Sequence, residues 1–175
     1  MGGRIARAGS SGSYTYSVHT GKENYPVRYV NYYDAEAFAA WRSGQEGVTY
    51  RLPTHHEWEK AAAWDPVQSH YYLYGFHGDA SGCSVCSYNN CAGGPMPVGS
   101  YNGTGGREDA KSYYGGYDMS GNVWEWTSEV SGSYRVLRGG AWSNTATGCQ
   151  CTYRRTSTPS ARGNGDGFRL VMDPG

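Results

Sequence analysis

Residues 66–116 are rich in Gly, Ser, Asn and Tyr and carry neither the 3.6-residue period of a helix nor the two-residue period of a strand. So long a stretch without regular structure is unusual inside a compact domain, which predicts short strands and turns held by aromatic side chains. The rest of the chain has the same character. It holds 27 glycines, 17 tyrosines and 6 tryptophans in 175 residues, while leucine and isoleucine are scarce. The core must therefore be built from rings, with glycine supplying unusual backbone angles. The length suits one domain, 1–175, with a core that needs no metal or disulfide staple. A formal net charge of +0 leaves no electrostatic footprint for nucleic acid or an anionic membrane. No apolar run approaches membrane-spanning length, and no apolar stretch follows the basic Arg4 and Arg7, so no signal peptide is visible.

Two segments can be helices. Asn31 is an N-cap with Asp34 three residues on, where an acid favours the exposed amides. The helix 32–42 that follows places Ala37, Phe38 and Trp41 on one face, and Gly44 and Gly47 end it. Thr54 and Glu57 form a capping box for a second helix, continued by Ala61, Ala62 and Ala63 and stopped by Asp65-Pro66. His55 and His56, adjacent on its first turn, are expected to point in different directions, into solvent. Strand-like stretches lie at 14–18, 26–30, 121–126, 134–140 and 167–171. With no internal repeat and no linker, the reading is α+β: two helices, short strands and long loops.

Five cysteines, Cys83, Cys86, Cys91, Cys149 and Cys151, make an odd set that argues against a fully paired secreted framework. The Cys83-x2-Cys86-x4-Cys91 spacing lacks a fourth ligand for zinc. Reduced thiols, or one local disulfide, are expected instead. The glycine-rich stretch 103–106 lacks the strand-before, helix-after setting of a phosphate loop and reads as a turn. The charged run 107–111 reads as a solvated loop tip.

Several segments, in order, resemble the formylglycine-generating-enzyme/sulfatase-modifying family. They are Pro26-Val27 with Val30, Asp34-Ala35 with Ala37-Phe38 and Trp41, and Arg51-Leu52-Pro53-Thr54 with Glu57-Trp58-Glu59 and Ala61-Ala62. Tyr117-Asp118-Met119-Ser120-Gly121-Asn122-Val123-Trp124-Glu125-Trp126, Arg138-Gly139-Gly140 with Trp142, and Gly167-Phe168-Arg169 complete the set. The resemblance implies that family's variant of the C-type lectin fold. Its enzymes use two cysteines downstream of the Gly-Gly pair to bind copper and oxidise a substrate cysteine. Here the first position falls on Asn144 and the second on Cys149. An amide is a poor ligand for copper(I), so no enzyme is expected. The alternative is a copper oxidase of this type acting on substrate cysteine through a rearranged Cys149/Cys151 site. A related branch makes sulfur–carbon bonds with a histidine-ligated iron, but His19, His55, His56, His70 and His77 stand in unrelated contexts. Asp118 and Glu125, with the carbonyls of Gly121 and Val123, match positions that bind calcium in some members, which implies a structural calcium. The alternative is that both carboxylates satisfy local backbone amides. No other cofactor is required.

The C-terminal part is similar to the variable region of proteins diversified by retroelements, in which fixed anchors alternate with positions rewritten at adenines. The anchors are the stretch 135–142, Ala146, Cys149, Tyr153, Arg154, Pro159, Arg162 and the stretch 167–170. Between them stand Ser143, Asn144, Thr145, Thr147, Gly148, Gln150, Cys151, Thr152, Arg155, Thr156, Ser157, Thr158, Ser160, Ala161, Gly163, Asn164, Gly165 and Asp166. All but Gln150 are reachable from an asparagine codon by changing adenines only. The resemblance implies a non-catalytic prokaryotic or phage protein whose hypervariable surface, about 141–166, binds an unidentified protein or cell-surface ligand. It would be displayed on a phage virion or a cell surface. Trp142, Tyr153, Phe168 and the fixed arginines are expected to pack into the scaffold. Arg138, Arg154 and Arg169 would make buried or half-buried bonds to carboxylates or carbonyls. Arg155 offers the site a planar donor fork and Asp166 an acceptor.

Overall fold

In a computed structural model, residues 5–8 and 15–173 are described. Strands β1 (Ile5–Ala8) and β2 (Thr15–Val18) pair antiparallel, and the expected strand position Tyr14 lies outside the described residues. No strand forms at 26–30. Tyr29 adopts a left-handed φ of 59°, which breaks an extended run. Its amide donates to the Gly163 carbonyl at 3.2 Å, and the Val30 carbonyl accepts from Trp126 Nε1 at 3.0 Å. The segment is a strap across the C-terminal strands.

Helix α1 (Tyr32–Glu46) starts on the expected cap. Asn31 Oδ1 accepts from the Asp34 amide at 2.8 Å, and Asp34 Oδ2 accepts from the Asn31 amide at 2.9 Å. It runs through Gly44, supported by an Arg42–Glu46 pair, and stops at Gly47, whose φ of 71° suits a residue without Cβ. The buried face differs from the expected one. Tyr32, Ala35 and Ala39 are buried, while Phe38 and Trp41 are 41% and 59% exposed. Small alanines let the helix backbone approach the sheet, where the Tyr32 ring meets Trp126 edge-on at 6.3 Å. Phe38 and Trp41 are turned outward as a result, and Phe38 leans on Phe168 at the rim.

After strand β3 (Tyr50–Arg51), helix α2 (His55–Ala63) opens with both halves of the Thr54/Glu57 capping box in place. It buries Trp58, Ala62 and Ala63 with Met119 and Cys151. His55 is buried as well, against expectation, because the first turn of α2 packs over the β-sheet near Glu129; its ring lies 3.8 Å from that of the exposed His56. The helix gives way to an antiparallel pair, β4 (Trp64–Asp65) and β5 (His70–Tyr71), around a turn in which Asp65 caps the Val67 and Gln68 amides. The aperiodic stretch beyond is pinned by a small core of Tyr74, Phe76, Cys86, Tyr101 and Ala110. A Cys83–Cys91 disulfide closes a loop there. Two of the three thiols that a zinc site would need are thereby used up.

The main sheet is β8–β7–β6–β9. Strands β6 (Trp124–Ser131) and β7 (Tyr134–Arg138) form a hairpin. β8 (Arg155–Ser157) adds antiparallel to β7, and β9 (Asp166–Phe168) adds parallel to β6. β10 (Val171–Met172) returns to pair with β3. The core between α1 and this sheet gathers Tyr32, Ala35, Leu52, Trp124, Trp126, Leu137 and Ala141, with Trp142, Phe168 and Leu170 packed against it.

Candidate functional site

Strand β7 delivers the chain to Gly139 and Gly140, both at positive φ. At Gly140 a Cβ would lie 2.6 Å from Cys149 Sγ and 2.7 Å from the Gly148 carbonyl, so only glycine lets these segments meet. The loop that follows is locked by Asn144. Its Oδ1 accepts from the Ala141 amide at 2.9 Å, its own amide donates to the Ala141 carbonyl at 2.8 Å, and its carbonyl accepts from the Asn89 amide at 2.8 Å. The residue expected as a variable contact thus shapes the turn on which its neighbours stand.

Cys149 and Cys151 flank Gln150 and are both wholly buried. The Cys149 thiol rests 3.9 Å from the Ala141 carbonyl. Cys151 packs with Trp58 and Met119, its amide donating to Leu73 and its carbonyl accepting from Arg138 Nη1 at 2.9 Å. Burial pushes both thiols up to about 12, and the same holds for Cys86. They are structural hydrophobes in their protonated form, so Cys151 is withdrawn from the expected contact surface.

Two more expected contact residues belong to the frame. Asp166, 3% exposed, accepts from the Gly163 amide at 3.1 Å and pairs with Arg155, whose guanidinium lies 5.1 Å from the Trp124 ring. Acceptor and donor fork satisfy one another instead of facing a partner. Gly148 is buried against Asn144. Of the other expected contact residues, Ser143, Thr145, Thr147, Thr152, Thr156, Thr158, Ser160 and Asn164 are exposed, while Gln150, Ser157, Ala161, Gly163 and Gly165 are half-buried.

Among the expected anchors, Trp142 and Phe168 pack as anticipated, but Tyr153 is 44% exposed with its ring 6.0 Å from Trp124. Arg138 is fully buried, pairs with Glu59 and donates to the Cys151 and Tyr153 carbonyls. Arg154 is exposed, and the neighbouring Cys151 and Tyr153 carbonyls bond to Arg138 Nη1 instead. Arg162 pairs with Asp34 at the start of α1.

A cleft of ≈ 470 Å³ opens where this stretch meets the N-terminal strap. Trp142 and Asn164 line it from one side, Lys22, Tyr25, Arg28 and Tyr29 from another, and the loop Ala92–Met96 from a third. Residues 26–30 carry only a strand pattern, and no local pattern signals that Lys22 and Arg28 line one cleft with Asn164.

Asp118 and Glu125, the acids expected to hold calcium, each carry other partners. Glu125, 4% exposed, accepts from Arg169 Nε at 2.5 Å, Arg169 Nη2 at 2.7 Å and Trp58 Nε1 at 2.6 Å. Arg169 Nη2 also donates to the Tyr117 carbonyl at 3.0 Å. Asp118 Oδ2 accepts from the Gly99 amide at 2.7 Å, and burial pushes its carboxyl up. The Arg169 guanidinium thus neutralises Glu125, and the Gly121 amide donates to the Gly139 carbonyl at 2.7 Å. Among the described residues no group of three or more His, Cys, Asp or Glu is arranged to hold a metal.

Residues 5–174 match the model of the sulfatase-modifying factor enzyme 1-like domain. The chain belongs to this family. It is 33% identical over 172 residues to hercynine oxygenase of Mycolicibacterium smegmatis, covering 85% of this chain and 37% of that protein. It is 32% identical over 170 residues to the inactive C-alpha-formylglycine-generating enzyme 2 of Bos taurus, covering 88% of this chain and 52% of the other. The chain therefore spans about half or less of these relatives. Treponema denticola variable protein 1 superposes with a TM-score of 0.72 at 23% identity, covering 89% of this chain and 74% of that one. The shared fold is the α+β, C-type-lectin-like scaffold. Among the described residues no helix is long and apolar enough to cross a membrane.

Proposed function

We propose that this chain is a non-catalytic binding module whose C-terminal surface contacts a protein or cell-surface ligand. One observation carries the reading: between residues 143 and 164, exposed Ser, Thr and Asn side chains, joined by Tyr153 and Arg154, stand between buried or bonded residues that hold the backbone. Substitution at such exposed positions costs little stability, so the surface can change while the frame persists. Loops carried on a rigid frame are where recognition tends to sit. The oxidase alternative is disfavoured by the two thiols it needs, which are buried, protonated and committed to separate packing contacts. Diversification by a retroelement, and display on a virion or cell, belong to the same proposal.

The test is an array of glycans and surface-protein ectodomains, probed with the wild type and with a variant carrying Thr145→Glu, Thr152→Glu, Thr156→Lys and Ser160→Lys. Binding lost by the variant at unchanged melting temperature is the expected result. Binding that survives all four substitutions overturns the proposal, as does copper-dependent oxidation of a cysteine peptide by the wild type. For diversification, the DNA beside the gene should hold a reverse-transcriptase gene and a repeat that differs from codons 135–170 only at adenines. A locus without either removes that part.

A further inference from the structure

A second cleft, of ≈ 560 Å³, opens between the start of the N-terminal strap and the turn that leads into β6. None of the positions 143–166 lines it, so its walls belong to the frame. Pro26, Val27 and Val98 supply aliphatic surface, and Tyr117 and Phe168 supply rings. Its charged lining residues are Asp118, Glu125 and Arg169. The last two neutralise each other. Both Glu125 oxygens accept from Arg169, whose other bonds go to the backbone carbonyls of Tyr117 and Asp118. The Asp118 carboxylate is left over. Its bonded partners are neutral: Oδ2 accepts from the Gly99 amide at 2.7 Å, and the Asn122 side chain lies beside it. Among the described residues no cation is ion-paired with it. Arg169 attracts it through space, but Glu125 repels it. Two carboxylates against one guanidinium leave the lining with one negative charge.

We propose that this cleft binds an organic ammonium ion carried on an apolar group, with Asp118 as its counter-ion. The site belongs to the scaffold and does not depend on the role of the surface between 143 and 164. An ammonium brings N–H donors and a positive charge, and its bond to a carboxylate is roughly twice as strong as a neutral one. Walls of low polarity screen that pair less than bulk water does. Tyr117 and Phe168 add ring faces that attract a cation and cover its hydrocarbon. A volume of ≈ 560 Å³ accommodates an amine with one ring. A dication would have to win the Glu125 oxygens from Arg169 and Trp58, whereas an ammonium needs only Asp118. Asp118 stands at a left-handed φ of 57°, which Asp and Asn adopt more readily than other side chains. Asparagine can therefore take its place without moving the turn.

The test is calorimetric titration of the full chain, near neutral pH and in EDTA, with 2-phenylethylamine against 2-phenylethanol. The amine should bind about tenfold tighter than the alcohol, the gap narrowing as salt is raised. Asp118→Asn keeps an acceptor for the Gly99 amide and should weaken the amine at least about fivefold while leaving the alcohol unchanged. Val98→Arg, at a rim position 58% exposed, sets a like charge at the mouth and should also weaken the amine at unchanged melting temperature. It decides the matter if Asp118→Asn misfolds. An amine that binds no tighter than its alcohol, or an amine affinity indifferent to both variants, overturns the proposal. Calcium that binds the wild type at millimolar concentration and is lost with Asp118→Asn gives the carboxylate to a metal, and overturns it too.

Discussion

Replacing Glu125 with glutamine asks whether this buried acid is a counter-ion or a metal ligand. The side chain keeps its volume and loses its charge. In the wild type that carboxylate accepts three hydrogen bonds, two from Arg169 and one from Trp58 Nε1. Removing one partner of a buried ion pair costs about 3–5 kcal/mol, because the remaining charge is left uncompensated. The Arg169 side chain is 29% exposed, and glutamine still offers one acceptor, so the lower end applies: about 3 kcal/mol. For a chain of this length each kcal/mol is worth about 2–4 °C, which gives a melting temperature lowered by about 10 °C. The assay is thermal unfolding by near-ultraviolet circular dichroism, run with EDTA and with millimolar calcium. Wild type and Glu125→Gln should each melt at the same temperature in both buffers. A loss under 1 kcal/mol, or calcium stabilisation that disappears in the variant, would refute the reasoning.

The same logic separates frame from surface in the C-terminal stretch. Asp166→Ala strips the Gly163 amide and Arg155 of their acceptor and should cost about 2–3 kcal/mol in urea unfolding, the Arg155 share being reduced by its exposure. Thr156→Ala, on the exposed side of β8, should stay within about 0.5 kcal/mol; equal costs would remove the distinction. Gly140→Ala meets both a left-handed φ of 77° and Cys149 Sγ at 2.6 Å, so it should cost more than about 3 kcal/mol or prevent folding, and a stable variant would show that the turn is not tight. The buried thiols carry a pH dependence. Cys86, Cys149 and Cys151 are raised from 9.0 to about 12 in the folded chain, so their contribution is complete below pH 9 and is lost as pH climbs toward 12. Near pH 10 this is about 1 kcal/mol per thiol, visible as a falling urea midpoint. Native protein at pH 8 should resist iodoacetamide at all three and react fully in urea.

What sequence alone determined was local. Both helix starts follow from capping chemistry written within four residues, Asn31 with Asp34 and Thr54 with Glu57. The ring-built core follows from a chain with few aliphatic alternatives, and the ordered motifs identified the fold. What tertiary structure decided was which side of each element is inside. Helix α1 buries alanines where its large rings looked like the core face, because close approach of the backbone to the sheet outweighs the burial of Phe38 and Trp41. Asp166, Cys151 and Gly148 look like their exposed neighbours in composition, yet strand pairing, an ion pair and a tight turn place them inside. Arg169 pairs with Glu125 across 44 residues, and Lys22 and Arg28 join Asn164 across more than a hundred residues of chain. Contacts between segments distant in sequence leave no local period, so only the folded chain reveals them.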